Sequence, residues 1–370
     1  MEKDVIVIGG GMVGAAFAYG IAKSGKKVLV IDGADKDFRA ARANLGLVWV
    51  QGKGTGTPAY TGLTLESSDR WPKFCEELKE ISGKPIDYFR PGGLAFCMSE
   101  ADFSARSDLI ARTHNQRSEA YTEMVERPAL ERMMPAVTLG PTIVGASYCK
   151  LDGHVNPLQL YAALHAAIAI VGGEIQYRNT VAKILPAPGG GFRVHTSTGV
   201  FSAPRVIIAA GLATPALAGP LGLNMPLRPE RGQLLVTERL SPIMPYPASG
   251  IRQGSEGTVM IGTTNEKADD TRVTMNSAIT LARRAERIIP ALGRVRLVRQ
   301  WSGLRVLSPD KAPIYAQSPD HPGLFAAICH SGVTLAAIHA EMVGPAMAAG
   351  DLPESLSWFS NGRFDVQKCA

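Results

Sequence analysis

The chain opens on an apolar, β-branched run at residues 4–8 without polar alternation, which predicts a strand buried on both faces of a parallel sheet. Helical spacing over 14–24 and a second apolar run over 27–31 complete a strand–helix–strand unit. After an irregular, glycine-rich stretch at 39–56, residues 57–78 read as a long amphipathic helix, with Tyr60, Leu63, Leu65, Trp71 and Phe74 on its apolar faces. Residues 88–97 read as strand, 100–123 as a mostly polar helix and 145–149 as strand. Asn156 is a fitting N-cap, with Pro157 at the first helical position, for a helix over 156–171. Strands follow at 173–177, 180–185, 191–196 and 205–209, punctuated by glycine-rich turns. Residues 225–263 have the look of an antiparallel sheet made of short strands. Beyond them come a helix at 276–289, an extended run at 297–306, a strand at 324–328 and a helix at 334–349.

Dinucleotide-type elements thus recur at the start, middle and end. Length agrees, since 370 residues exceed what one simple core usually organises. The expectation is an α/β fold: a discontinuous Rossmann-like domain (1–85, 145–220 and 300–370) with an inserted mixed or antiparallel substrate domain (86–144 and 221–299).

Composition narrows the chemistry. The content is 45% hydrophobic and 19% charged, as in ordinary soluble proteins. The formal charge of +6 is dispersed; its densest points, Lys26-Lys27 and Arg283-Arg284, lack interleaved aromatics, so no nucleic-acid surface is expected. A mild positive excess fits an anionic cofactor or substrate. Cys75, Cys97, Cys149, Cys329 and Cys369 are odd in number, scattered and without a CxxC pair. This argues against disulfides and against a cysteine-held metal or iron–sulfur site in this chain, and for a reducing compartment. The apolar start is broken by glycines, and the other apolar stretches carry His165, His339 and Glu341. Neither a leader nor a transmembrane segment is expected, and the location expected is cytoplasmic.

Gly9-Gly10-Gly11-Met12-Val13-Gly14 matches G-x-G-x-x-G between a strand and a helix. Gly9 suits the tight turn, Gly11 the approach of a diphosphate, and Gly14 close packing of helix on strand. Asp32 ends the next strand, where it can accept from a ribose hydroxyl. A glycine turn beside a solvated aspartate is the bland alternative, and the flanking strands favour the dinucleotide. The motif alone does not separate FAD from NAD.

Two further motifs separate them. Residues 206–211 (Val-Ile-Ile-Ala-Ala-Gly) and 324–334 (Leu-Phe-Ala-Ala-Ile-Cys-His-Ser-Gly-Val-Thr) resemble the second FAD strand and the C-terminal flavin motif of the D-amino-acid oxidase superfamily. That superfamily includes glycine oxidase, sarcosine oxidase and proline dehydrogenase β subunits. The resemblance implies a glycine oxidase-like fold and FAD. It assigns cofactor contacts to Gly9, Gly11, Met12, Val13, Gly14, Asp32, Asn44, Leu45, Gly46, Val181, Ala210, Gly211, Gly303, Ser331, Gly332, Val333 and Thr334. Val181 would meet the adenine through its backbone, and the helix start near Thr334 would face the flavin O2 region.

Within the superfamily, residues 44–53 and 329–334 are similar to β subunits of octopine and nopaline (opine) oxidases, hydrogen cyanide synthase and D-hydroxyproline dehydrogenases. This implies other subunits, with an iron–sulfur cluster in partner chains and FMN at a subunit interface among the cofactors such complexes carry. Trp301-Ser-Gly-Leu-Arg305 resembles the superfamily's G-[LF]-R segment, which implies that Arg305 binds the substrate carboxylate. Val306 stands where several relatives have proline, and a structural salt bridge is the competing role for Arg305. His330 would border the flavin or a partner's cofactor, or be an ordinary turn residue; His154 reads as a loop histidine. Trp49, Tyr246 and Trp301 are pocket candidates with core packing as the alternative, and Gly232-Gln233 resembles a segment near the flavin.

The reaction implied is hydride transfer from a carboxylate-bearing secondary amine, an opine, to FAD. D-hydroxyproline, another cyclic amino acid, or glycine in cyanide production are the other substrates. An NAD(P)-dependent dehydrogenase and a non-catalytic FAD-binding electron-relay subunit are the readings of a different class.

Overall fold

The runs without polar alternation form a sheet covered on both sides. Val5–Ile8, Val28–Ile31, Arg205–Ile208 and Leu324–Ile328 lie within a six-stranded sheet, parallel throughout except where Ile314–Gln317 folds back along one edge. The computed structural model describes residues 3–33, 39–115 and 121–368. Alternate strand residues part into two cores: Val5, Val7, Val28 and Val30 meet the helices Met12–Lys23, Pro58–Ser82 and Pro157–Ile170, while Ile6, Ile8, Leu29 and Ile31 meet the opposite layer. Two apolar faces need two apolar covers, which is why these strands show no alternation. Asn156 caps the helix Pro157–Ile170, its side chain accepting from the N–H of Leu158 and of Gln159.

A second, antiparallel sheet runs in the order Ile251–Gln253, Thr258–Gly262, Arg228–Arg239 and Leu297–Leu307. A three-stranded extension, Gly93–Cys97, Gly145–Cys149 and Thr122–Glu126, joins it through the Leu94–Ala248 bridge. One face is sealed where Leu235, Ile251, Val259 and Ile261 pack on Ala278, Leu281, Ala285 and Ile288 of the helix Met275–Ile288. By strand alternation and register, the other face carries Arg252, Gly232, Trp301, Gly303 and Arg305. It meets the nucleotide-type half directly, since Arg252 Nε donates to the Leu45 carbonyl.

Several expectations need correction. Residues 225–263 are not all short strands, because Arg228–Arg239 is one strand of 12 residues. Residues 88–97 split at Pro91-Gly92 into Tyr88–Phe89 and Gly93–Cys97, which belong to different sheets. The helix from Glu100 is described as far as Asn115, 116–120 lie outside the described residues, and Thr122–Glu126 is a strand where helix was expected. The helix expected from 334 starts at Ala336 and passes through a π-turn at His339–Val343. There, Gly20 brings the first helix so close that a Cβ on it would stand 1.7 Å from the Ala340 carbonyl oxygen. Gly145–Cys149 and Leu297–Leu307 both pair inside the second sheet.

Among the described residues no helix is long and apolar enough to cross a membrane, and no histidine, cysteine and carboxylate cluster could hold a metal. The four described cysteines are free, and Cys369 lies outside the described residues.

Candidate functional site

Backbone contacts build the first turn. Gly9 adopts φ +99°, and a Cβ there would stand 2.5 Å from the Ala209 carbonyl oxygen and 2.9 Å from Ala210 Cα. At Gly14 a Cβ would fall 1.9 Å from the Gly9 carbonyl oxygen. Gly11 is different: a Cβ built on it meets nothing within 4 Å. The turn is therefore pressed shut on the protein side and open on the other. The open side is where the first N–H groups of the Met12–Lys23 helix emerge, a fitting cradle for a diphosphate.

Asp32 is buried, and its Oδ1 accepts from Gly10 N at 2.9 Å and Arg39 Nη1 at 2.5 Å. Its carbonyl accepts from Asn179 N at 2.8 Å, which ties the strand end to the segment leading into half-buried Val181. Ala210 and Gly211 follow the strand Arg205–Ile208 at the start of a 3-10 turn. A residue that sequence reading missed secures this end: His165 links the Gly10 carbonyl (2.8 Å) to the Tyr177 hydroxyl (2.9 Å). Burial lowers its imidazole pKa.

A strap at 44–53 runs from this end toward the second sheet and is held at almost every step. Asn44 Oδ1 accepts from Gly46 N at 2.9 Å, and Leu47–Val48 pairs with Gly153–Val155. Val50 N, Gln51 N and Gln51 Nε2 all donate to Asp152, at 2.5, 3.2 and 2.6 Å. Gln51 Oε1 in turn accepts from Arg106 and Ser147. Asp152 is wholly buried, and burial outweighs these donors, pushing its carboxyl up to about 7.

The turn after Leu324–Ile328 completes the constellation. The N–H groups of Gly332, Val333 and Thr334 donate to no acceptor among the described residues. Side chains hold the turn in place. Thr334 Oγ1 accepts from Trp49 N at 3.2 Å, and the Thr334 carbonyl accepts from Ser67 Oγ at 2.8 Å and Trp71 Nε1 at 2.9 Å. Ser331 Oγ is bonded to Lys53 Nζ and, at 2.6 Å, to the Tyr60 hydroxyl. Desolvation lowers the Lys53 ammonium to about 8 against the raising influence of Cys329 and Asp152.

The expected chemical residues divide. His330 is exposed at the tip of this turn, and its imidazole is pushed down to about 3 by the protein packed around it and by the charges of Lys53, Arg305 and Lys311. The direction is toward the neutral imidazole. Arg305 is already occupied: Nη1 donates to Glu230 at 3.1 Å, and Nη2 to Thr263 and, at 2.8 Å, to the Thr264 carbonyl. Gly232 and Gly303 sit opposite each other in register, and a Cβ on Gly232 would be 2.8 Å from Arg305 Nη2. Gln233, fully buried and bonded to Thr274 and Gln300, is structural. Tyr246 packs edge-on against Tyr148 in the second core. Trp49 lies against Gly93, and Trp301 is half-buried under Arg299. His154 sits in the strand Gly153–Val155, not in a loop, and burial beside Arg252 lowers it to about 4.

Two turns with open N–H groups, a buried aspartate at one end and a sheet face at the other fit FAD. Known proteins agree. A family model, DAO, described as FAD dependent oxidoreductase, matches residues 4–344. The B subunit of opine oxidase from Agrobacterium tumefaciens (strain Ach5) is 42% identical over 372 residues, covering 99% of both chains. Hydrogen cyanide synthase subunit HcnC of Pseudomonas aeruginosa is 26% identical, over 99% of this chain and 97% of that one. The crystal structure of glycine oxidase from Geobacillus kaustophilus superposes with a TM-score of 0.89 at 26% identity, over 97% of this chain and 98% of that one.

Proposed function

Because this chain belongs to the DAO family of FAD-dependent oxidoreductases and acts on a CH–NH donor, we propose that it is the catalytic subunit of an opine oxidase-like complex. The observation carrying this reading is the 42% identity to an opine oxidase B subunit, sustained over 99% of both chains. The substrate is a secondary amine that bears carboxylates, of the octopine or nopaline type. The chemistry supplied by bound FAD is hydride acceptance from the carbon beside the nitrogen, which leaves an imine that water hydrolyses to an amine and a 2-oxo acid.

The chain's own residues supply binding and orientation. Gly11 and the first turn of the Met12–Lys23 helix hold the diphosphate, and Asp32 the adenosine ribose. Asn44, Leu45 and Gly46 line the middle of the cofactor. Gly332, Val333 and Thr334 aim their N–H groups at the flavin pyrimidine, where negative charge gathers on reduction. Gly232 and Gly303 sit on the opposite wall, where the absence of a side chain on Gly232 lets the Arg305 guanidinium lie across it. Neutral His330 can accept a hydrogen bond from the amine without repelling its cationic form. Arg305, named by resemblance as carboxylate ligand, shares its charge with Glu230 until substrate arrives.

In this proposal other subunits carry electrons onward, through FMN at an interface and an iron–sulfur cluster in a partner chain. Co-expression with the partner subunits, followed by anaerobic titration, tests both layers. Octopine or nopaline should bleach the visible flavin bands, and FMN and iron should co-purify with the complex. Bleaching by D-hydroxyproline or glycine and not by opines would move the substrate to the other branches of the family. A yellow protein bleached by none of them would make this chain a relay subunit.

A further inference from the structure

The residue expected to meet a carboxylate is neutralised, whereas another cation beside the same turn is not. Arg305 and Glu230 lie 3.1 Å apart, each with 15% of its side chain exposed, so an incoming carboxylate would compete with an internal one. Lys53 makes no ion pair among the described residues. Its ammonium rests on the Ser331 hydroxyl, itself braced by the Tyr60 hydroxyl. The side chain is half-buried, so it is partly dehydrated yet reachable. Its backbone is fixed by Lys53 N donating to the Val50 carbonyl and by Thr61 Oγ1 donating to the Lys53 carbonyl.

We propose that Lys53 is a specificity-determining residue that anchors a carboxylate of the amine substrate, with Ser331 and Tyr60 setting the position of its ammonium. This rests on the amine-oxidation reading and deepens it. A dehydrated, unpaired ammonium gains more from an incoming carboxylate than an arginine already paired with Glu230. The anion also favours the charged lysine, whose pKa burial lowers. The groups acting on Lys53 are Asp152 and Cys329, with Ser331 and Tyr60 in direct contact. His330 on the same turn is acted on in its turn by Lys53, Arg305 and Lys311.

The test is a titration of the FAD-loaded protein with benzoate, and with benzamide as its neutral counterpart, read as perturbation of the visible flavin bands. K53M should weaken benzoate by about tenfold or more and leave benzamide unchanged, while K53R restores benzoate to within about threefold of the wild type. In the wild type, which needs no variant, benzoate affinity should fall as pH rises through about 8, where Lys53 gives up its proton. Equal benzoate affinity in K53M and wild type would overturn the proposal. So would equal weakening of benzoate and benzamide, or a pH profile flat to 9.5. Failure of the amine-oxidation reading would look different: a yellow protein that binds benzoate through Lys53 but is bleached by no amine.

Discussion

The two cofactor turns present similar bare N–H groups but are held by opposite means. At Gly9–Gly14 the missing side chains do the work, letting the Gly9 and Ala209 carbonyls approach where any Cβ would collide. At 329–334 added side chains do it: Ser67 and Trp71 pin the Thr334 carbonyl, and Lys53 and Tyr60 pin Ser331. The first turn is written as a short glycine motif, although Gly9 is pressed against Ala209 from a distant strand. The second depends on partners some 270 residues away in the chain.

Substitutions should expose that contrast. The largest effect is expected for Gly14→Ala, since a methyl 1.9 Å from a backbone oxygen forces the turn apart. The purified variant should contain no FAD, and measuring flavin released on denaturation checks this. Next come Trp71→Phe and Ser67→Ala, each removing one of two donors to a buried carbonyl. Each should cost about 1–3 kcal/mol in urea unfolding while FAD is retained. If W71F lost FAD as completely as G14A, the two turns would not differ in the way described.

A smaller, pH-dependent effect should come from Asp152. Its pKa in the folded chain, about 7, lies above the unfolded value, so its contribution to stability is complete below about pH 4 and is lost as pH rises through 7. Asp152→Asn should therefore narrow the stability gap between pH 5 and pH 8. A gap unchanged by D152N would mean that the carboxyl does not titrate in this window. The smallest expected change is for Glu230→Gln. Freeing Arg305 should tighten benzoate binding by roughly two- to threefold, and no change would mean that Arg305 never meets the ligand.

What could be read from the sequence follows the same division. The parallel strands and the glycine turn were legible because each leaves a short, local sequence pattern, an unalternated apolar run or a G-x-G-x-x-G, even though their partners are distant. The FAD requirement and the family were legible because three motifs recur together. The Arg305–Glu230 pair was not, since it follows from the register of Arg228–Arg239 against Leu297–Leu307, which no local pattern states. Nor was the brace between His165 and the Gly10 carbonyl, because a histidine on an apolar helix carries no label for what it touches. Lys53 lay inside a segment singled out for its likeness to relatives, but its charge counts only once Ser331 is beside it. The 88–97 and 100–123 assignments failed where Pro91-Gly92 and the return of the chain as Thr122–Glu126 redirect it between layers.

The strand Leu324–Ile328 slots beside Arg205–Ile208, and this has a consequence for biosynthesis. Gly14 leaves the ribosome long before Thr334. At roughly 5–20 residues per second the nascent chain waits tens of seconds between the two. During that interval the grip for the diphosphate can exist while the seat for the ring cannot. A chain that ended before Leu324 would carry the Gly9–Gly14 turn without the 329–334 turn, so the two can come together only late in synthesis.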